Sequence, residues 1–507
     1  MKIFFSCILS LALVIIKISA VNADQAKVGT ASQTLKFTGF LDDWSKSIMP
    51  EGVSLFANDS FRWEEWRFFD PAAPGGDPDY GFFSNQFRFG VKVDQNKWQA
   101  EASLQYVKQV SLPDDAAGVP GGALGLGAVY FLHNGSTAPD SLYIKYLNLG
   151  LLDIADTGIN ATVGRFDYSG GLEAMSGIPK IDWLKKTRLD ARLIGGFDYS
   201  IYQRSFDGFK LGWNHDTGYL SIAGFRPTQG GFEASANKEI SRIDILATSY
   251  TFKPGKLVPN SEIQLFDYYL SDTRNVAFRA DNSGSPLPLR QDLSFHTIGG
   301  HFAGAKKLGS GTADLLLWGA YQTGDWFEQD HRASAVAAEF GYEFTDVPWK
   351  PWIRVGGFYG SGDDNPADGT HNTFYQILPT VRKYSFTTAY NLMNNEDYFI
   401  QLLLSPWKKL NLRTDLHYLR LAESADLWYS GAGATQSHGV IQGFSGRPSG
   451  GDNYLGTSLE FTAQYKLTKD INTQVFYGHI FGGDVIKNNF SDNADMDYFF
   501  FETNIVF

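Results

Sequence analysis

Charged residues stand at every second position inside stretches that are otherwise apolar, and this spacing is where chemistry could reside. Arg88 and Lys92 lie among Phe87, Phe89, Val91 and Val93, while Arg413, Asp415 and His417 alternate with Leu412, Thr414 and Leu416. In a β-strand such residues share one face. Arg413, Asp415 and His417 have the types of an acid–base trio, yet side chains at i and i+2 stand about 7 Å apart along a strand. A charge ladder on the wall of a water-filled lumen fits that distance better. By the same alternation Arg88, Lys92, Lys145, Arg354 and Arg413 face inward as basic groups, opposite Glu101, Asp314, Glu339, Glu343, Asp415, Glu460 and Glu502. Outward placement of the mid-strand cations would cost roughly 2–4 kcal/mol each in lipid. Beyond residue 23 the chain carries no G-x-S-x-G, H-E-x-x-H or P-loop motif, so it reads as a non-enzyme that needs no metal and no cofactor.

The elements that would position these charges are short strands. Aromatic residues make up 15% of the 507 residues, 53 are Gly, and only 19% are charged. The net charge of −12 argues against a nucleic-acid partner. Residues 1–23 read as a secretory signal: Lys2, an apolar core from Ile3 to Ile16, and Val21-Asn22-Ala23 as the cleavage site. The single cysteine, Cys7, falls within that signal, leaving no disulfide or thiolate site in the mature chain. No stretch after the signal reaches the length of a membrane-spanning helix, so a chain that crosses a membrane must do so as a closed barrel.

Nineteen segments alternate apolar and polar residues from 53–67 through 497–507. Bacterial barrels have even strand numbers, with short periplasmic turns and long outer loops. Counting from both ends, that rhythm clashes once, and assigning 374–388 to an outer loop restores it. The expected fold is all-β: a single transmembrane antiparallel β-barrel of about 18 strands over 53–507, preceded by a periplasmic N-terminal segment, 24–52. Trp63, Trp66, Trp98, Trp318 and Trp352 are expected in the interfacial aromatic girdles. The terminal Phe507 resembles the signal read by the barrel-assembly machinery, and the expected location is the bacterial outer membrane of a Gram-negative cell.

Specific motifs then narrow the class. The run Thr162-Val163-Gly164-Arg165-Phe166-Asp167, the loop Arg192-Leu193-Ile194-Gly195 with Asp198-Tyr199 nearby, and Arg204-Ser205-Phe206-Asp207-Gly208 together resemble the alginate-export family of outer-membrane barrels. Tyr199 stands where that family usually has Trp. Tyr390 to Pro406, Leu416 to Leu421 and Leu455 to Phe507 resemble its later strands. The resemblance implies an 18-strand channel for a polymer or solute, with Arg165, Arg192, Arg204 and Asp207 joining Arg88, Lys92, Lys145, Arg354 and Arg413 as candidate substrate contacts in the lumen. The mixed charges read from alternation do not match a strongly basic lumen, so alginate itself is not implied.

The expected function is a porin-like channel for an anionic or neutral saccharide or another small solute. The alternative is a structural barrel that sheathes or docks a periplasmic partner. Outer-membrane lipid is the expected surrounding partner. Loop 112–141 and segment 24–52 are candidates for folding over or into the pore. The loop from Gly360 to Gly369 is acidic, but its Asp and Gly residues miss the spacing of a helix–loop–helix calcium site, and a plain turn cluster is expected there.

Overall fold

The computed structural model describes residues 44, 47–73, 75–118, 122–289, 291–380, 383–431, 435, 437, 443–444, 446–491 and 493–507. The signal and most of 24–52 lie outside the described residues. Eighteen strands form the wall. In chain order the first nine are β1 (Val53–Arg67), β2 (Asp79–Asp94), β3 (Trp98–Val110), β4 (Asp140–Leu151), β5 (Ile159–Phe166), β6 (Phe206–Asn214), β7 (Gly218–Pro227), β8 (Ile243–Phe252) and β9 (Ser261–Asp272). The second nine are β10 (Leu293–Leu308), β11 (Gly311–Trp326), β12 (Gln329–Phe344), β13 (Trp352–Gly360), β14 (Asn395–Trp407), β15 (Leu410–Arg420), β16 (Tyr454–Lys466), β17 (Ile471–Gly482) and β18 (Asp495–Val506). Each pairs antiparallel with the next. β1 returns to β18 in an unbroken register from Asn58 opposite Val506 to Arg67 opposite Asp497.

That closure leaves no sheet edge in the bilayer, where an unpaired N–H or C=O would cost several kcal/mol. Alternation then sorts the side chains. Leu459, Phe461, Val336, Phe340 and Ile400 are exposed on the outer face, while Glu460, Glu339 and Gln401 beside them are buried in the lumen. A bulge breaks the β3–β4 register at Ser103/Leu104. It turns Lys145 inward with Tyr143 while Leu142, Ile144 and Leu147 stay outside.

Short connections gather at one end, for example Gln95-Asn96-Lys97, His215-Asp216-Thr217 and Lys408-Lys409, and long ones at the other. Among its described residues, segment 374–388 contains no strand, and it lies within the connection 361–394, as the loop rhythm requires. The tryptophans divide. Trp63 and Trp98 are exposed outside, whereas Trp66, Trp318 and Trp352 are buried inside the barrel, which corrects the expectation of a girdle role for these three. They lie on lumen parity and pack against inward-folded loops.

The lumen is a packed core rather than an empty bore. One apolar cluster joins Phe225, Phe266, Trp318 and Phe374. A second joins Trp66, Phe82, Tyr202, Phe232 and Phe476. Helix α1 (Leu126–Asn134), in the β3–β4 loop, belongs to the second cluster through Leu126 and Tyr130. The described residues of the loop between β3 and β4 thus fold against the wall rather than standing free.

Gly208 shows how tight this packing is. A Cβ there would overlap the Gly224 carbonyl oxygen and the Phe225 backbone on β7. Gly208→Ala is expected to weaken β6–β7 pairing by about 1–3 kcal/mol, read as a lower urea midpoint for loss of the heat-modifiable barrel band on gels.

Candidate functional site

Two long loops enter the lumen and occupy its centre. The β5–β6 loop, 167–205, carries helix α2 (Pro179–Leu184). Pro179 suits the first helical turn because its missing N–H has no intrahelical partner there. α2 packs against β10 and β11. Lys180 pairs with Glu343 at 2.5 Å and lies over the Trp352 ring at 3.4 Å, near the short-turn end of β12 and β13. Returning upward, the loop meets segment 361–394 in a short parallel ladder: Leu378 N–H donates to Leu193 O, and Gly195 N–H to Leu378 O, each at 2.8 Å. Ala191, Phe197 and Gln203 hold positive φ, a conformation that persists in bulky residues only where surrounding contacts over-determine it.

The returning limb carries cations to wall carboxylates. Lys185 meets Glu262 on β9. Arg188 Nε lies 3.2 Å from Glu339, Arg192 3.9 Å, and Arg354 from β13 2.9 Å, with Arg354 also 3.1 Å from Asp314. All of these groups are buried. Among the described residues, Arg188 Nη2 and Arg192 Nη1 and Nη2 have no hydrogen-bond partner. One carboxylate thus anchors three guanidiniums and leaves several N–H groups unspent. The 197–204 stretch is tied to the wall through its carbonyls: Arg62 donates to Tyr199 O, Gln86 to Ile201 O, and Tyr143 and Gln105 to Tyr202 O. Lys145 donates to Arg204 O.

The inward cations that keep part of their surface open to water lie mainly on β1, β2, β6 and β15. Arg62 pairs with Glu502 at 2.5 Å and stacks on Tyr199 at 4.1 Å. Arg88 donates to Gln105 and Gln203 at 2.8 and 2.6 Å and faces Tyr146. Lys92 sits 3.7 Å from Glu101 and over Phe56. Lys210 donates to Asp167 O over Phe166. Arg413 pairs with Asp415 at 2.6 Å beside Phe386. Each of these five cations lies beside an aromatic ring.

Arg88, Lys92 and Arg413 therefore line the open part of the lumen. Lys145, Arg192, Arg204 and Arg354 are buried in its packed part. Arg165 and Asp207 depart from the expectation. They share outward parity with Val163 and Phe209, both exposed, and bind each other on that face at 2.7 and 2.6 Å. Strand alternation decided this, since neither Gly164 nor Gly208 shifts the register. Arg62 and Lys210 were legible by the same alternation, between Phe61 and Trp63 and between Phe209 and Leu211. Lys185 and Arg188 sit in a loop with no periodicity to mark them. Arg413, Asp415 and His417 do share the inner face. His417 turns to Asp397 at 2.9 Å, however, while Asp415 takes Arg413.

On the long-loop side, Asp363 is buried beside Asp426. Burial and the neighbouring Asp426, Asp368 and Asp364 carboxylates push Asp363 up to about 7, and burial pushes Asp426 up to about 6. Asp363, Asn365 and Asp368 cap the following backbone N–H groups as turns do. Among the described residues, no group of three or more His, Cys, Asp or Glu side chains is arranged to hold a metal.

A family model described as alginate export matches residues 153–500. No curated protein matches this sequence. Solved structures with the same fold include Acinetobacter baumannii OccAB2, with TM-score 0.55 and 9% identity over 89% of this chain and 98% of that one. Pseudomonas aeruginosa OccK9 (OpdG) gives 0.55 and 10% over 90% and 99%. The outer membrane protein OpdK of the same species gives 0.52 and 8% over 89% and 98%. At these identities the likeness is one of fold.

Glu339→Gln is expected to destabilise the barrel by about 3–5 kcal/mol, because three buried guanidiniums lose their shared counter-charge; the urea unfolding midpoint measures it. The raised Asp363 and Asp426 values give a signed pH dependence. Their contribution is fully present below the ordinary carboxylate range near 4 and is lost as pH rises through about 6 to 7. The long loops should therefore resist trypsin better at pH 5 than at pH 8. Asp363→Asn should flatten most of that difference.

Proposed function

Since the chain belongs to the alginate export family and lies in the bacterial outer membrane, we propose that its channel passes a small saccharide, neutral or carrying an isolated carboxylate, rather than a long polyuronate. The observation that carries this reading is the pairing of most lumen charges, with Arg88 and Lys210 held instead by side-chain amides and a backbone carbonyl. Arg62 with Glu502, Lys92 with Glu101, Arg413 with Asp415, Lys180 with Glu343 and Arg354 with Asp314 and Glu339 are matched in place. A polyanion is drawn by a focused field of one sign, and matched pairs cancel that field beyond a few ångströms.

Two further features support a small solute. Loops 167–205 and 361–394 cross the lumen and are fastened to the wall by ion pairs and carbonyl contacts, which suits a fixed constriction better than a wide bore. Tyr199, Tyr146 and Phe386 lie beside the water-exposed cations, and an aromatic face next to a hydrogen-bond donor suits a sugar ring with its apolar faces and hydroxyl rim. The passage needs no cofactor and no chemistry, and the solute gradient drives it.

Single-channel current in a planar bilayer tests this. The purified barrel should conduct, with comparable block by a neutral oligoglucan and by an oligouronate of equal length. Block by the uronate alone would overturn the small-saccharide reading in favour of a polyanion. Absence of current would favour a barrel that sheathes a periplasmic partner. Arg88→Gln combined with Lys92→Gln should shift the reversal potential in a salt gradient toward cations, because Glu101 is left unmatched in the open part of the lumen.

A further inference from the structure

Charge is distributed unevenly around the periplasmic rim, the end where short turns and the start of β1 gather. The turns joining β2 to β3, β4 to β5 and β6 to β7 carry Asp153, Asp156 and Asp216, and their one lysine, Lys97, is neutralised by Asp153 at 3.2 Å and Asp156 at 2.5 Å. The five turns from β8 to β17 reverse this. In these turns and the strand ends that enter them, Lys256, Lys306, Lys307, Lys350, Lys408 and Lys469 are all exposed. Among the described residues, only Lys469 of these has a carboxylate within ion-pair reach, Asp470 at 3.9 Å. A chain of net charge −12 thus concentrates unpaired positive charge on one arc of one rim.

The same turns and strand ends expose apolar side chains. Leu257, Leu308, Val347, Trp349, Trp407 and Leu467 each keep more than a third of their surface open. Trp349 lies next to Lys350 and Trp407 next to Lys408, a lysine beside an amphipathic ring at the level where strands leave the membrane. Indole rings prefer the headgroup layer, and lysines extend along apolar surface to place their ammonium groups among phosphates. The turns are short, so these groups stay close to the membrane plane rather than reaching into the periplasm. That geometry favours a lipid surface over a protein partner.

The geometry points to a binding surface for anionic phospholipid headgroups of the inner leaflet, formed by the periplasmic turns from β8 to β17. The recognised chemistry is a headgroup phosphate with net negative charge, as in phosphatidylglycerol or cardiolipin, seated between lysine ammonium groups with its acyl chains against the exposed leucine, valine and tryptophan side chains. The arc from β2 to β7 also exposes Trp98, Leu151, Ile154 and Trp213, but the one lysine of its turns is paired with Asp153 and Asp156, so the barrel would gather anionic lipid on one side only.

Nanodiscs of phosphatidylethanolamine with a minority of phosphatidylglycerol test this, with lipids retained on release from the disc identified by native mass spectrometry. The intact barrel should retain phosphatidylglycerol well above its share of the disc. The variant Lys306→Gln, Lys307→Gln, Lys350→Gln, Lys408→Gln should lose about tenfold of that enrichment, given the attraction of each lysine to an anionic surface. Lys97→Gln should retain it. These turns lie outside the lumen, so unchanged single-channel current in the variant verifies that the barrel is folded. Retention in proportion to disc composition, or equal enrichment in the four-lysine variant, would overturn the inference. So would capture of an acidic periplasmic protein by the same lysines without any lipid preference.

Discussion

The seam between β1 and β18 is the constraint on which the rest depends. A sheet in hydrocarbon has no water to satisfy its edges, so the eighteenth strand must find the first. The register from Asn58–Val506 to Arg67–Asp497 does this without interruption. Once the sheet is closed, every side chain points either to lipid or to the lumen, and strand parity becomes a sorting rule with a free-energy penalty for errors. Leucines and phenylalanines line the outside, and carboxylates, amides and guanidiniums line the inside.

Closure at this strand number also creates a problem of volume. A barrel this wide encloses more space than wall side chains can fill, and here the chain fills much of it with its own loops. Loops 167–205 and 361–394 bring apolar residues such as Ile181, Leu193 and Phe374 into contact with inward Phe266 and Trp318. They gain the hydrophobic stabilisation of a globular core, which the lipid-facing surface cannot supply because it is not withdrawn from an apolar medium. The cations that accompany these loops, Lys180, Lys185, Arg188 and Arg192, are then obliged to find wall carboxylates, since a buried unpaired charge costs several kcal/mol. Glu343 and Glu262 take one cation each, and Glu339 is shared by Arg188, Arg192 and the wall's own Arg354.

The passage left over is bounded by what the loops did not fill. Arg62, Arg88, Lys92, Lys210 and Arg413 each keep part of their surface open, and Arg413 does so beside the Glu339 cluster, donating to the carbonyl of Tyr384, whose ring lies against Arg188 and Arg192. Their aromatic neighbours are contributed by different elements, Tyr199 by a loop and Tyr146 by the bulge in β4.

Strand identity, the outward apolar band and the inward placement of Arg88, Lys92, Arg354, Arg413 and Glu339 were all legible in the sequence, because a period of two survives in the linear chain. So was the exclusion of 374–388 from the wall, since turn and loop lengths must alternate. The family motifs were legible as well. Their physical meaning was not: Arg165 and Asp207 pair on the lipid side, and Gly208 is small because Gly224 and Phe225 lie against it. Trp66, Trp318 and Trp352 went inside because they lie on the lumen parity of their strands, whereas no alternation marks Arg188 and Lys185. A loop that folds back into a lumen has no periodicity, and its neighbours are residues more than a hundred positions away. Sequence by itself determined which segments span the membrane and which face of each meets lipid, because those depend on local alternation. Only the tertiary structure decided which cations are spent on holding the loops and which remain at the water-filled path, because that depends on which carboxylate each one reaches across the closed barrel.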